Sequence, residues 1–394
     1  MSRVRMNSSR ISNIFRQKVR RWLLLWTVAA YILLCLSLFV LYVGPSFLGG
    51  NNLRVGADSD TYLNIAGVLH DYNVDFDSVP LVMLFSAGGN YLGPVLIARA
   101  IPSLAGIACF NLALFLIGMW IADTLPGVKT GWFFVAMVLN PLTTPSLLTL
   151  NKEVLAFFSI MLFIRYISDV DRSRLLLFAV LLISVMARWE QAMVTVIFLV
   201  LECRWSPLRG RHWKTLILIT SGITLLYPLL INSNVVGSDV LLGMVSAAEG
   251  NVLPVLNNIQ AHYGFALIVI PRMLINMWGR VLSPSLFVTE YLNSDFADIQ
   301  NSFAIPFHCV AMFVVSIVAL FRKKLDIRKQ SIYWMAIYLL LSAATPFFQP
   351  RYQYPVYVIL CLEICGFVSP LSDSRVRATS GIRPIQHELS PQKS

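Results

Sequence analysis

Long apolar runs separated by short charged ones set the rhythm of this chain. A membrane-crossing helix needs about 20 consecutive apolar residues, and residues 22–43 reach that length without a charge. Residues 44–91 follow as a polar loop rich in Asp. Residues 92–122 are apolar but hold Arg99 and Pro102, a pattern that predicts one tilted helix or a broken pair. Residues 131–150 form a span containing Asn140-Pro141 and Pro145; after Asn151-Lys152-Glu153 the chain runs back over 154–168.

Residues 174–203 are apolar except for Arg188-Trp189-Glu190 at their centre. One straight helix would place an Arg and a Glu at mid-bilayer, at roughly 2.5–3.5 kcal/mol each. A hairpin with the trio at its apex avoids that cost, and its short arms suit a bundle in which they pack on neighbours or line a wet cavity. Residues 214–231 make the next span. Residues 232–302 are mixed, and the short apolar stretch 263–278, with Arg272 inside it, predicts an interfacial or re-entrant helix rather than a full crossing. Spans at 303–321, 332–348 and 354–369 complete an all-α, polytopic transmembrane bundle of about ten helices. Residues 371–394 are rich in Ser, Pro and Arg with no apolar period, and read as a disordered tail.

Composition agrees with that reading. The chain is 57% hydrophobic and only 13% charged, where a soluble domain carries roughly 25%. The net charge of +11 points at first to nucleic acid. Its placement argues for membrane lipid instead, because Lys and Arg gather between the apolar runs, over 3–21, 204–214, 322–329 and the tail after Arg375. Positive loops of this kind mark the cytoplasmic side. The basic segment 1–21 therefore lies in the cytoplasm, and the run after it is longer than the 7–15 residues of a cleavable signal core, so it reads as a retained span. With the hairpin in place both termini are cytoplasmic. The loops 44–91 and 232–302, the trios at 151–153 and 188–190, and Arg351 fall on the outer face. The six cysteines lie in or beside apolar runs without zinc-ligand spacing, and neither a P-loop nor a dinucleotide fingerprint is present.

Four charged motifs share that outer face. Asp58-Ser59-Asp60 sets two carboxylates on one side of an extended segment, where they can hold a divalent cation, Mg or Mn, or take a proton from an attacking hydroxyl. Asn151-Lys152-Glu153 offers Lys152 as a point charge for phosphate, and also reads as an ordinary helix start with Asn as cap and Glu153 in the first turn. Arg188-Trp189-Glu190 sets Arg188 and Glu190 between apolar arms, a functional placement in a membrane protein, although Trp189 also suits an interfacial anchor. Arg351 and Tyr352, between Pro350 and Pro355, offer a planar guanidinium for phosphate oxygens and a ring for stacking on a sugar. An acidic wall facing a basic one suits a lipid-linked phosphosugar.

These motifs resemble the membrane-embedded glycosyltransferases of the GT-C superfamily. There an acidic motif follows the first span on the outer face, as Asp58 and Asp60 do here, with Tyr62 shortly after. Gly93-Pro94 loosely matches the start of the following span, and Arg351-Tyr352 with Pro355 matches a late motif of many bacterial members. The resemblance implies an inverting transferase in the bacterial inner (cytoplasmic) membrane. It would use a polyprenyl-phosphate-linked sugar as donor, a glycan or lipid as acceptor, and one of the two aspartates as base. The Asn151-Lys152-Glu153 trio also resembles repeat-unit polymerases of surface polysaccharides, which share this layout. A lipid-linked saccharide transporter is the third reading, and it would be expected to show internal repeats.

Overall fold

The computed structural model describes residues 22, 24–43, 62–63, 91–169, 172–232, 252–282, 304–345 and 350–370. Every regular element among the described residues is helical. The first, α1 (Leu24–Leu41), closes in a π-helical turn over Phe39–Val43. Apolar segment 92–122 is a broken pair, α2 (Leu92–Ala100) and α3 (Leu104–Thr124). Pro102 cannot continue the first helix, and Ser103 restarts the chain by accepting the Gly106 N–H at 3.2 Å. The expected span over 131–150 is likewise not one helix. Asn140-Pro141 divides it into α4 (Thr130–Val138) and α5 (Thr143–Leu148), and the Asn140 side chain accepts the Leu142 N–H in the break.

Next comes α6 (Lys152–Ser168), buried on nearly every side. Around it pack α3, α5, α14 (Tyr354–Ile364) and α7 (Arg174–Ala187). The following helix, α8 (Trp189–Glu202), is separated from α7 by a single residue, Arg188, in extended conformation. The contacts fix the direction of both. Arg188 meets Glu153, Gln191 meets Ser159 and Phe198 meets Phe163, so α8 runs along α6 in the same sense, while α7 returns against it. The segment 174–203 is thus a helical hairpin with Arg188 at its apex.

The remaining helices are α9 (His212–Asn232), α10 (Val252–Ala261), α11 (Phe265–Leu282), α12 (Ile305–Phe321) and α13 (Gln330–Ala343), followed by a 3-10 turn over Pro350–Gln353 that leads into α14. Two of them fall inside the expected outer-face loop 232–302. Of these, α11 does not lie across the end of the bundle as an interfacial helix would. It packs lengthwise on α12 and also touches α9 and α13, with Phe265, Ile268 and Arg272 buried.

The surface of this bundle is rich in large apolar side chains, around a core that is itself mostly apolar. Leu24–Leu41 and Leu104–Thr124 are long and apolar enough to cross a membrane, yet only 11% and 33% of their residues are buried. Large apolar side chains such as Trp120, Leu175, Leu267 and Phe321 point outward, while Asn140, Lys152, Glu153, Arg188, Gln260 and Glu363 are buried. Charge is also sorted between the two ends. At one end the turns at 125–129, 203–211, 322–329 and 365–370 meet. Lys329 pairs with Glu363 at 2.6 Å, Arg172 reaches Gln330, and the Gln330 and Val368 N–H groups donate to Pro370 and Pro126 carbonyls. The N-terminus of α6 lies at the other end, about 25 Å away along its 17 residues.

Candidate functional site

The far end of α6 begins at Asn151, whose extended backbone and side-chain oxygen cap the Lys152 N–H at 3.1 Å. Glu153 then sits in the first turn, where the helix dipole favours a carboxylate. The helix-start reading of this trio is therefore realised, but it is incomplete. All three residues are about 98% buried, and a lysine in a first turn opposes the dipole. Burying Lys152 there does not serve the helix.

Arg188 supplies the second wall. It ends α7 by donating its N–H to the Ser184 carbonyl at 2.7 Å, and its own carbonyl accepts the Gln191 N–H that opens α8 at 3.0 Å. From this apex its side chain turns inward and donates Nη2 to Glu153 Oε1 at 3.0 Å, with both side chains almost fully buried. Gly93 allows the neighbouring α2 to come close, since a Cβ there would overlap the Met186 carbonyl just before the apex. The Gly93-Pro94 step is thus a point of close helix approach.

The third wall is the 3-10 turn before α14. The Arg188 guanidinium lies 3.8 Å from the centre of the Tyr352 ring, a stacking contact. Lys152 Nζ is 5.9 Å from the same ring and 5.6 Å from that of Tyr62, and Arg351 is 5.6 Å from Tyr352 on its half-buried side. Tyr62 packs edge-on against Tyr91. The Tyr338 hydroxyl of α13 holds the turn by donating to the Tyr352 carbonyl at 2.6 Å, within electrostatic reach of Arg188, Glu190 and Glu153.

Six of the expected residues therefore converge: Lys152, Glu153 and Arg188 in the interior, Tyr352 and Tyr62 over them, and Arg351 at the edge. Glu190, two residues past Arg188 in the first turn of α8, is half-buried. Asp58 and Asp60, the expected base and cation ligands, lie outside the described residues. Among the described residues no group of three His, Cys, Asp or Glu side chains is placed to hold a metal ion.

The geometry adds members that the motifs did not single out. Gln191, one turn past the apex, donates to Ser159 of α6, and its carbonyl accepts from Thr195, whose hydroxyl in turn takes the Trp334 indole N–H. Gln353, next to Tyr352, donates to Ser342 at 3.2 Å. Their positions beside charged trios were the available signal. Arg272, without a motif of its own, is buried and donates to Asn257, Gln260 and the Thr345 carbonyl at 2.6–2.7 Å, capping the end of α13.

Much of the cluster's hydrogen-bonding capacity faces inward without a protein partner. Arg188 Nε and Nη1, Glu153 Oε2, Asn151 Nδ2, Gln191 Oε1 and Gln353 Oε1 are buried and unpaired. Each such atom costs about 1–3 kcal/mol, and native proteins hold few of them. Six of the nine such atoms among the described residues belong to this cluster, the other three being on Glu202, His212 and His308. An anion with several acceptor oxygens matches the two free Arg188 donors and the Asn151 amide. No protein-family model, curated protein or solved structure matches this chain.

Proposed function

We propose that this chain is a polytopic membrane glycosyltransferase of the GT-C type, moving a sugar from a polyprenyl-phosphate carrier to a glycan or lipid acceptor on the outer face. The observation that carries the reading is the buried cationic cluster of Lys152 and Arg188 around Glu153, roofed by Tyr352, with its orphaned donors turned inward. A structural ion pair would need only Arg188 and Glu153, and would satisfy their remaining atoms. A phosphate accounts for the free Arg188 donors and the Asn151 amide together.

The membrane part of the proposal is supported by the outward apolar side chains and by the end-to-end charge asymmetry. Basic turns converge at one end, as cytoplasmic loops do, and the cluster lies at the other. Two of the helices meet the length of a full crossing. Of the others, α6, α7, α8, α12, α13 and α14 are shorter, as helices around a polar interior can be, whereas α9 equals α3 in length.

In the reaction, the acceptor hydroxyl oxygen attacks the anomeric carbon, its proton passing to Asp60 or Asp58. The bond from that carbon to the phosphate oxygen breaks, and the polyprenyl phosphate leaves with the electron pair. Arg188 and Lys152 stabilise the charge that grows on the departing phosphate, the step where fixed cations count most. Tyr62 contacts Lys152, and a single residue separates it from Asp60 in the sequence. A divalent ion held by Asp58 and Asp60 would supply further charge neutralisation.

A second reading is favoured by the place of Asn151-Lys152-Glu153 inside the cluster: a repeat-unit polymerase joining whole lipid-linked oligosaccharides. The surface glycan of the source strain separates the two, by gel and mass spectrometry, with wild type compared to Asp60→Asn and Arg188→Gln at equal protein levels. Loss of one sugar from an otherwise normal glycan supports the transferase. Collapse of a long ladder to single units supports the polymerase. Complete lipid-linked saccharide retained on the cytoplasmic side indicates the transporter. An unchanged profile with both variants folded overturns all three.

A further inference from the structure

At the basic end, the turn that opens α9 faces the loop between α12 and α13 across a cleft of about 410 Å³. Arg211, His212, Trp213 and Lys214 form one wall, and Asp326 and Arg328 the other. Three permanent cations thus face one carboxylate, and that carboxylate is already engaged by Arg328 at 2.9 Å. Glu202 lies behind the wall against His212, at 3.6 Å. The first intrahelical bond of α9 runs from the Thr215 N–H to the Arg211 carbonyl, so the N–H groups of His212, Trp213 and Lys214 precede the helical ladder. The positive end of a 21-residue helix adds to the side-chain charge.

The apolar surroundings distinguish a lipid from a free anion. Trp213, on the wall of the cleft, is 68% exposed, as a ring at a headgroup boundary is. From Trp213 an outward stripe climbs α9 at helical spacing through Ile217, Leu225 and Leu229, each more than half exposed. A phosphate in the cleft would therefore lie at the foot of an acyl-sized apolar track.

We propose that this cleft binds the phosphate headgroup of an anionic phospholipid of the cytoplasmic leaflet, with an acyl chain laid along α9. The inference rests on the membrane reading above but not on the glycosyl-transfer reading. Basic pockets between helices on the cytoplasmic side suit such headgroups. At neutral pH Asp326 is ionised, since the Arg328 side chain bonded to it holds its carboxyl below the usual range, and it is the one repulsive group on the lining.

The test uses the full chain purified in neutral detergent, titrated with dioctanoyl phosphatidylglycerol, dioctanoyl phosphatidylcholine or inorganic phosphate, with bound lipid counted by intact-protein mass spectrometry. Phosphatidylglycerol is expected to bind in preference to phosphatidylcholine. Affinity should fall about fivefold for each cation removed in Arg211→Gln and Lys214→Gln, and Asp326→Asn should raise it. That gain cannot arise from misfolding, so it decides the matter if the cation variants fail to fold. Equal binding of the two lipids, or variants without effect, overturns the site. Displacement of phosphatidylglycerol by equimolar inorganic phosphate overturns its assignment to a lipid. Carbonate extraction of the host membranes tests the underlying reading separately. Release of the chain into solution refutes the membrane reading, whereas retention without lipid preference refutes only this site.

Discussion

The Arg188–Glu153 pair permits the sharpest test of the candidate site. At 3.0 Å and with almost no exposure, two unit charges attract by roughly 5 kcal/mol at an effective dielectric of about 20. Desolvating both groups offsets most of that, so the pair adds little net stability. Removing one partner is different, because it leaves the other charge buried without its counter-ion, at about 3–5 kcal/mol. Arg188→Met and Glu153→Leu should therefore each destabilise the purified protein by about that amount. The double variant should return close to wild type or exceed it, giving a coupling energy of about 6 kcal/mol or more. Unfolding in mixed detergent, followed by tryptophan fluorescence, measures all four corners of the cycle. Glycan transfer measured on the same proteins should show the opposite pattern, with the double variant folded and inactive. Single variants within about 1 kcal/mol of wild type and additive in the double would refute a desolvated pair. A double variant that is both stable and active would refute its role in the chemistry.

Replacing Tyr352 separates its ring from its hydroxyl. Tyr352→Phe should keep the stacking on Arg188 and most of the activity, whereas Tyr352→Leu should lose about 2 kcal/mol of contact, near 30-fold in transfer rate. Gly93→Ala should force α2 away from Met186 and cost about 1–3 kcal/mol, lowering the thermal midpoint and activity together, while Gly131→Ala, which meets open space, should do neither. Cysteine introduced at Leu208 in a cysteine-free background should be blocked from labelling by an impermeant thiol reagent in intact cells, and one at Tyr91 should label; the reverse would invert the orientation. Because the Asp326 carboxyl is held below its ordinary 3.8, the Asp326–Arg328 contact contributes stability above that value and loses it as pH falls through the depressed one. Hydrogen exchange in 322–329 should thus stay flat from pH 7 to about 5, after correction for intrinsic rates, and loosen only in stronger acid.

Much of the helix order was legible because the interruptions have local causes. Pro102 with Ser103 and the Arg188 trio each break a helix by chemistry confined to a few residues. The broken span at 131–150 was missed because its hydropathy continues across Asn140, and a prolyl break interrupts the backbone ladder without interrupting apolar character. The placement of α11 was missed for the converse reason. Arg272 makes its segment look too polar to be buried, but the oxygens that satisfy it come from Asn257, Gln260 and Thr345, far enough along the chain that no local window joins them.

The candidate site divides along the same line. Residue type and spacing were enough to group Lys152, Glu153, Arg188 and Tyr352 at one end, opposite the basic turns. They were not enough to show how the four touch. Arg188 stacks on Tyr352 only because Tyr338 holds the turn's carbonyl, and Glu153 reaches Arg188 only because α7 returns antiparallel along α6. Those contacts turn a shared face into a buried cluster with more donors than its own carboxylate can use. An ordinary account exists for each motif: a capped helix start at Asn151, an interfacial ring at Trp189 and a plain turn at Pro350. What none of the three explains is why their charged neighbours are buried against one another rather than turned out to water. That joint burial, at the end of the bundle remote from the basic loops, makes phosphate chemistry the more economical reading.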